Sequence, residues 1–146
     1  MIDISSLQVL KKGRSICQLD QLQLLAGARL GVTGSNGSGK STLLRVMAGL
    51  EKDYSGNCSV QASRRECTFV HQKPYLLRGS VLYNVSYGLC ARGESRAAAN
   101  KLAMQWLEKL GMLDFADRST GKLSGGEIRR VALARAFAIA PKLLLL

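Results

Sequence analysis

The residues best suited to chemistry in this chain lie in one short stretch, residues 34–41, with the sequence GSNGSGKS. It matches the pattern G-x-x-x-x-G-K-[ST], in which backbone N–H groups of a glycine loop converge on the oxygens of a triphosphate. Lys40 is predicted to contact the β- and γ-phosphates, and the Ser41 hydroxyl is predicted to bind Mg²⁺. Glycine and serine clusters also form plain flexible loops, so the flanking elements have to decide between these interpretations.

Both flanks of the loop favour phosphate binding, because such loops connect a buried strand to the N-terminus of a helix. Residues 29–33 are a short, mostly apolar run and are predicted to form the strand. Residues 41–48 are predicted to form the helix, which ends at Gly49. We therefore prefer the phosphate-binding interpretation.

Size and cysteine content limit the class of protein. At 146 residues the chain is long enough for one domain with a buried core. The four cysteines lie far apart without a C-x-x-C pair, and His71 is the single histidine, so neither a disulfide framework nor a zinc site is expected. The N-terminus lacks the apolar segment of a signal peptide, and no run reaches the roughly 18 to 20 apolar residues of a membrane span. These features predict a soluble, cytosolic chain with reduced thiols.

The net charge of +11 raises the alternative of a nucleic-acid surface. The positive charges are scattered in separate doublets, at 11–12, 64–65 and 129–130, and no aromatic residues are interleaved with them. We therefore predict a solvated basic surface, with nucleotide phosphates as the relevant anion and no nucleic-acid partner.

Hydrophobic periodicity predicts the other elements. Apolar and polar residues alternate over 2–25, which predicts two half-buried strands joined by a turn at 12–14. Residues 53–57 are predicted to form a turn, residues 59–62 an edge strand and residues 67–70 a further strand. Residues 73–79 are predicted to be a loop and Ser80 the N-cap of a short helix. An amphipathic helix is predicted over residues 97–110, closed by Gly111. Its predicted buried face consists of Ala99, Leu102, Ala103, Trp106 and Leu110. Residues 143–146 are all leucine and are predicted to be a strand buried on both faces.

A second helix start has the features of an anion site. Ser124 and Glu127 have the S-x-x-E spacing of a capping box, and the predicted helix that follows ends at Pro141. Gly125 and Gly126 leave the backbone N–H groups of the first turn uncovered. This helix N-terminus is therefore predicted to accept an anion.

Taken in order, these motifs resemble the ATP-binding subunit of ATP-binding cassette (ABC) transporters. Residues 34–42 are similar to the Walker A motif, Gln72 to the Q-loop glutamine, LSGGE at 123–127 to the family signature, and PKLLLL from Pro141 to the lead-in to Walker B. The resemblance implies an α/β P-loop NTPase (RecA-like) core with an antiparallel N-terminal β subdomain and an inserted α-helical subdomain. The core would comprise residues 1–72 and 141–146, and the helical subdomain residues 73–140.

The resemblance also implies roles for individual residues. Lys40 and Gln72 would be catalytic, and Ser41 and Gln72 would bind Mg²⁺. The ATP-binding residues would be Gly34, Ser35, Asn36, Gly37, Ser38, Gly39, Lys40, Ser41 and Thr42 on one subunit and, closing over the nucleotide of a second subunit in a head-to-tail dimer, Ser124, Gly125, Gly126 and Glu127.

The function implied is coupling of ATP binding and hydrolysis to import of a small solute by a transmembrane permease, with the ATP-binding subunit peripheral on the cytoplasmic face. Residues 72–93 look most like subunits that serve oxyanions such as tungstate, molybdate or phosphate. The Walker B acidic pair would be expected just after Leu146, so the chain is expected to be a fragment that binds ATP without hydrolysing it.

Two departures and two alternatives accompany this interpretation. No aromatic residue that could stack on adenine precedes Tyr54, and Lys11 or Lys12 occupies that neighbourhood. Glu127 stands where many members have glutamine. The alternatives are a soluble ABC-type ATPase acting on nucleic acid or ribosomes, and a regulatory nucleotide binder without turnover.

Overall fold

The structure, a computed structural model, describes all 146 residues, which fall into two compact units. The first unit contains residues 1–69 and Leu145, and the second contains residues 70–144 and Leu146. The elements are β1 (Ile2–Lys11), β2 (Arg14–Leu24), α1 (Lys40–Met47), β3 (Ser55–Val60), β4 (Cys67–Phe69), α2 (Val81–Cys90), α3 (Arg96–Lys109), α4 (Gly125–Ala138) and β5 (Leu143–Leu145), with short 3₁₀ turns at Leu113–Phe115 and Thr120–Lys122.

An antiparallel sheet in the order β2-β1-β3 forms the N-terminal part of the first unit. Its hairpin turn has positive φ at both central residues, 51° at Lys12 and 74° at Gly13, as two-residue hairpins with a type I′ turn require. The predicted pair of N-terminal strands is confirmed.

A bulge in β1 keeps its apolar side chains on one face. Ile4 and Leu7 are both fully buried although they are three residues apart, which simple two-residue alternation does not allow. Ser6 lies between them with φ 49°, and the pairing of β1 with β3 shifts register between Ser5 and Gln8. The extra residue restores the inward direction of the next side chains.

The predicted turn at 53–57 is wrong, because β3 already begins at Ser55 and ends at Val60. Gly56 has φ 82°, and a β-carbon there would overlap the carbonyl group of Ser6. Glycine is therefore required here by the close approach of β3 to the bulge in β1 and not by a turn.

The strand predicted at residues 29–33 is also wrong. These residues belong to neither sheet and all but Val32 are exposed. Strand formation depends on a paired neighbour, and β4 pairs with β5 instead. Of the predicted buried strand at 143–146, β5 covers three residues, and only Leu145 is buried while Leu146 is 64% exposed.

The second unit is a helical cluster with one apolar core. Ala99, Ala103 and Leu107 form the fully buried stripe of α3, whose four-residue spacing places them on one side of the helix. Leu102 is exposed, so its assignment to the buried face is wrong, and Leu107 takes that place. The buried core consists of Val81, Val85, Leu89, Ala99, Ala103, Leu107, Met112, Ala116, Val131, Ala134 and Ala138.

Local capping defines the helix starts in this unit. The Ser80 side chain accepts a hydrogen bond from the Tyr83 N–H, as predicted, and Ser95 caps α3 in the same way. No helix in the structure combines the length and the apolar character needed to cross a bilayer. The boundaries of the core and helical subdomains at 72/73 and 140/141 stay a prediction.

Candidate functional site

The glycine loop connects directly to α1, which begins at Lys40, as the phosphate-site pattern predicts. Gly34, Gly37 and Gly39 have φ values of 146°, 84° and 86°. The loop residues 34–38 are exposed, and the Leu43 N–H donates to the Gly39 carbonyl at 2.9 Å to begin the helical hydrogen bonding. The result is an open glycine turn at the positive end of a helix.

Lys40 folds back over this loop. Its ammonium group donates to the Gly34 carbonyl at 2.9 Å and to the Ser35 carbonyl at 2.7 Å, and its Nζ lies 3.5 Å from the Ser38 hydroxyl. These partners are neutral dipoles, so a phosphate oxygen that entered the loop would be a stronger acceptor for the same charge. The geometry thus holds a cation at the loop with weak partners that an anion can replace.

Gly39 lies close against the rest of the first unit. A β-carbon at this position would overlap the Ile16 carbonyl oxygen and lie 3.0 Å from Cβ of Cys17. Both residues belong to β2. The loop therefore packs against β2 at a distance that only glycine permits.

The oxygen groups at the start of α1 fit a magnesium ion bound together with phosphates. Ser41 is exposed at the second position of the helix, and Thr42 after it is half-buried. Mg²⁺ takes oxygen ligands and usually binds through one or two protein groups plus phosphates and water, so a single hydroxyl suits it. Gln72 lies in the second unit, exposed in a bend after β4, and its side chain carries an amide oxygen.

The start of α4 forms the predicted capping box. The Glu127 N–H donates to the Ser124 side chain at 3.4 Å, and Glu127 Oε2 accepts from the Ser124 N–H at 2.6 Å and from the Ser124 hydroxyl at 2.7 Å. Ser124, Gly125 and Gly126 are exposed, and apart from the adjoining residues and the backbone of the helix itself no atom lies within 4 Å of the β-carbon positions of the two glycines. The first turn of α4 is therefore open to a ligand from outside.

Electrostatics keep Glu127 ionised in this box. The hydrogen bond from the Ser124 N–H, followed by that from the Ser124 hydroxyl, lowers the pKa of the Glu127 carboxyl, and Arg118 and Arg130 add a smaller effect in the same direction. Arg118 Nη1 lies 3.9 Å from Glu127 Oε1. The carboxylate stabilises the helix start by accepting these bonds.

The capping box predicts a pH-dependent contribution to stability. Because folding lowers the pKa of Glu127, its contribution is complete above the carboxyl range and is lost as the pH falls through the folded-state pKa. Glu127→Ala should therefore lower the melting temperature at pH 7, and the difference from wild type should become smaller as the pH falls below the ordinary Glu pKa of about 4.3. Glu127→Gln, whose amide also completes a capping box, should differ less from wild type at pH 7, and its difference should change with pH in parallel with that of Glu127→Ala, because neither variant titrates at this position. A pH series of thermal unfolding checks this, and a Glu127→Ala difference that stays constant from pH 7 into the acid range would contradict it.

Two polar residues that sequence reasoning passed over lie inside the helical unit. Asn84 is fully buried in α2, and Arg135 of α4 is half-buried. The signal available in the sequence was an asparagine between Val81 and Val85 on an apolar helix, since buried polar groups require partners.

A profile of the ABC transporter family matches residues 18–146. The chain is 36% identical over 150 residues to the tungstate uptake system ATP-binding protein TupC of Peptoclostridium acidaminophilum, covering 99% of this chain and 70% of TupC. It is 36% identical over 138 residues to the lipoprotein-releasing system ATP-binding protein LolD of Koribacter versatilis, covering 84% of this chain and 62% of LolD.

A solved structure agrees with these relatives. The dimeric structure of a post-hydrolysis state of the ATP-binding cassette MJ0796, bound to ADP and Pi, superposes with a TM-score of 0.88 at 26% identity and covers 99% of this chain and 72% of that one. The α/β fold with its antiparallel β part and several helices is therefore that of an ABC ATPase domain. With the family profile and relatives above 30% identity agreeing, the chain belongs to the ABC transporter family, as an ATP-binding subunit of the ABC ATPase type.

Proposed function

We propose that residues 34–42 bind the triphosphate of ATP. The observation that carries the proposal is the position of the Lys40 ammonium over the glycine loop, held by two carbonyl oxygens at the N-terminus of α1. Backbone N–H groups of the loop would bind the phosphate oxygens and Lys40 would turn to the β- and γ-phosphates. Ser41 and Gln72 would bind Mg²⁺, which when bound neutralises charge on the phosphates.

The start of α4 would act on a second nucleotide. Ser124, Gly125 and Gly126 are exposed at a helix N-terminus, where N–H groups favour an anion. In a head-to-tail dimer they would contact the γ-phosphate held by the Walker A loop of the other subunit. The dimeric form of the MJ0796 cassette, bound to ADP and Pi, supports this arrangement. Gln72 would orient the attacking water for hydrolysis in the whole protein.

The proposed activity of the whole protein is ATP hydrolysis coupled to import of a solute through a membrane permease, with this subunit peripheral on the cytoplasmic face. The tungstate system of TupC, which matches 99% of this chain, supports an oxyanion as cargo. LolD has the same sequence identity to this chain and is named for lipoprotein release. Sequence identity therefore does not decide the cargo, and a transport assay with the whole protein is the test.

The test of the site is a binding series with nucleotides that differ only in phosphate number. We expect affinity to rise from adenosine through AMP and ADP to ATP in the presence of Mg²⁺, because the loop, the helix N-terminus and Lys40 all act on the phosphates. Equilibrium dialysis or calorimetry measures it. Equal affinity for adenosine and ATP would show that the glycine loop is not the binding site.

A further inference from the structure

Asn84 is the centre of a buried polar network in the helical unit. Its side-chain oxygen accepts from the Leu77 N–H at 2.7 Å, and its amide donates to the carbonyls of Leu77 at 2.9 Å and Ser80 at 3.0 Å. The side chain is fully buried in α2. Asn84 thus bonds both backbone groups of Leu77, as a neighbouring strand would, and fixes the backbone that follows Gln72.

Arg135 connects the same segment to α4. Its Nη2 donates to the Tyr75 carbonyl at 2.8 Å, and its Nη1 lies 3.5 Å from Asn84 Oδ1. Burial lowers the pKa of this guanidinium, and no carboxylate lies within 4 Å of it. A desolvated charge that is balanced only by amide dipoles costs free energy, and a methionine of similar length would pack there without that cost.

The position of Arg135 gives this charge a use. Ser124 caps the N-terminus of α4, and Arg135 lies in its last turn, about 16 Å further along at 1.5 Å per residue. One end of this helix presents the proposed γ-phosphate contact, and the other end holds the backbone three residues after Gln72. Tyr75 as a residue is 78% exposed while its carbonyl is bound, so the contact fixes the main chain and not a buried side chain.

We infer that Arg135 is a positioning residue that, through the Tyr75 carbonyl and Asn84, makes the segment after Gln72 and the signature helix α4 move together. The inference rests on the proposed function, in which Gln72 and Ser124 act on bound ATP. It adds a physical connection between Gln72 and Ser124. This connection is the helix α4, with the proposed anion site at its first turn and the Arg135 guanidinium, bound to the Tyr75 carbonyl, at its last.

A second contact on the same segment provides a matched comparison. The Thr120 hydroxyl lies 3.1 Å from the Leu77 carbonyl and 3.2 Å from the Gly79 carbonyl, and the Thr120 N–H donates to the Gly79 carbonyl at 2.9 Å. Thr120 belongs to the short turn before α4 and not to α4 itself. Thr120→Val therefore loosens the segment while leaving the Arg135 connection in place.

The experiment measures residue-specific amide exchange by NMR in the 146-residue chain, with and without saturating Mg-ATP. Without nucleotide, Arg135→Gln should raise exchange of the Leu77 amide about tenfold while exchange at Val131 stays within twofold of wild type. With nucleotide, wild type should show protection changes both at 75–77 and at 124–128. In Arg135→Gln the change at 75–77 should persist while that at 124–128 falls at least fivefold, with the Kd for ATP within twofold.

The controls separate a loss of coupling between residues 75–77 and 124–128 from a general loss of stability. Thr120→Val should raise exchange at Leu77 and keep the nucleotide response at 124–128, and Arg129→Gln, the same substitution at an exposed position of α4, should behave as wild type. Arg135→Lys keeps the charge without the planar fork and should lose the same response at 124–128. It takes the place of Arg135→Gln if that variant does not fold.

Unchanged exchange at Leu77 in the Arg135 variants, or an intact response at 124–128, would overturn the inference, as would equal loss of that response in Thr120→Val. If wild type neither binds ATP nor responds to it, the proposed function fails and the coupling with it, whereas the exchange measured without nucleotide still shows whether Arg135 fixes the segment.

Discussion

Replacing Gly39 with alanine is expected to be the most damaging single-methyl change in the glycine loop. The new β-carbon would enter the space of the Ile16 carbonyl oxygen and the Cys17 side chain, at a backbone φ of 86°. Left-handed backbone costs about 1–2 kcal/mol for a residue with a β-carbon, and forced overpacking adds about 1–3 kcal/mol. The sum is a loss of about 3 kcal/mol, which β2 or the loop must absorb by moving.

The matched control is Gly37→Ala. Gly37 has nearly the same φ, 84°, but apart from its two chain neighbours no atom lies within 4 Å of its β-carbon position, so only the conformational cost of about 1 kcal/mol applies. In urea unfolding, the free energy of unfolding should be highest for wild type, lower for Gly37→Ala and lowest for Gly39→Ala. Affinity for ATP should fall about 100-fold in Gly39→Ala if the same free energy is lost on forming the loop. Equal stability of the two variants would show that the loop does not pack on β2 as described.

Lys40→Met is expected to have the largest effect on nucleotide binding without a matching effect on folding. Hydrogen bonds to charged groups contribute about 1.5–3 kcal/mol, so loss of the ammonium should weaken ATP binding about 10- to 100-fold. The present partners of Lys40 are two carbonyl oxygens in an exposed loop, and their loss should change the free energy of unfolding by less than about 1 kcal/mol.

Calorimetric titration of Lys40→Met with Mg-ATP and with adenosine checks this prediction. The loss should be large for ATP and absent for adenosine, because the ammonium acts on phosphates. Lys101→Met, which removes an exposed charge from α3, controls for the overall change in net charge. A Lys40→Met variant that binds ATP as tightly as wild type would remove this residue from the phosphate site.

Features encoded within a few neighbouring residues could be predicted from the sequence. The turn at Lys12 and Gly13, the Ser80 cap, the Ser124 capping box and the glycine loop before α1 each depend on contacts no more than a few positions apart. In each case a side chain or a missing β-carbon satisfies a local backbone requirement. The order of the two predicted phosphate-binding motifs, residues 34–42 and residues 123–127, indicated the family whose profile matches the chain.

Features that depend on a distant partner were not predicted. Residues 29–33 have the apolar character of a strand and no strand beside them. Gly56 reads as a turn residue until the bulge at Ser6 is placed against it. Leu102 fits a helical stripe, but the actual stripe is set by the contacts of α3 with its neighbours. The partners of Asn84 and Arg135 could not be named for the same reason.

The stacking of Trp106 on Phe137 has a practical consequence. Trp106 is the single tryptophan of the chain, its ring lies 5.0 Å from that of Phe137 with an interplanar angle of 16°, and the Lys109 ammonium sits 4.6 Å above it. Because these residues join α3 to the last turns of α4, a shift between the two helices changes the surroundings of the indole. The intrinsic fluorescence of the unlabelled protein is therefore a single-site optical reporter of that packing, usable in stopped-flow mixing.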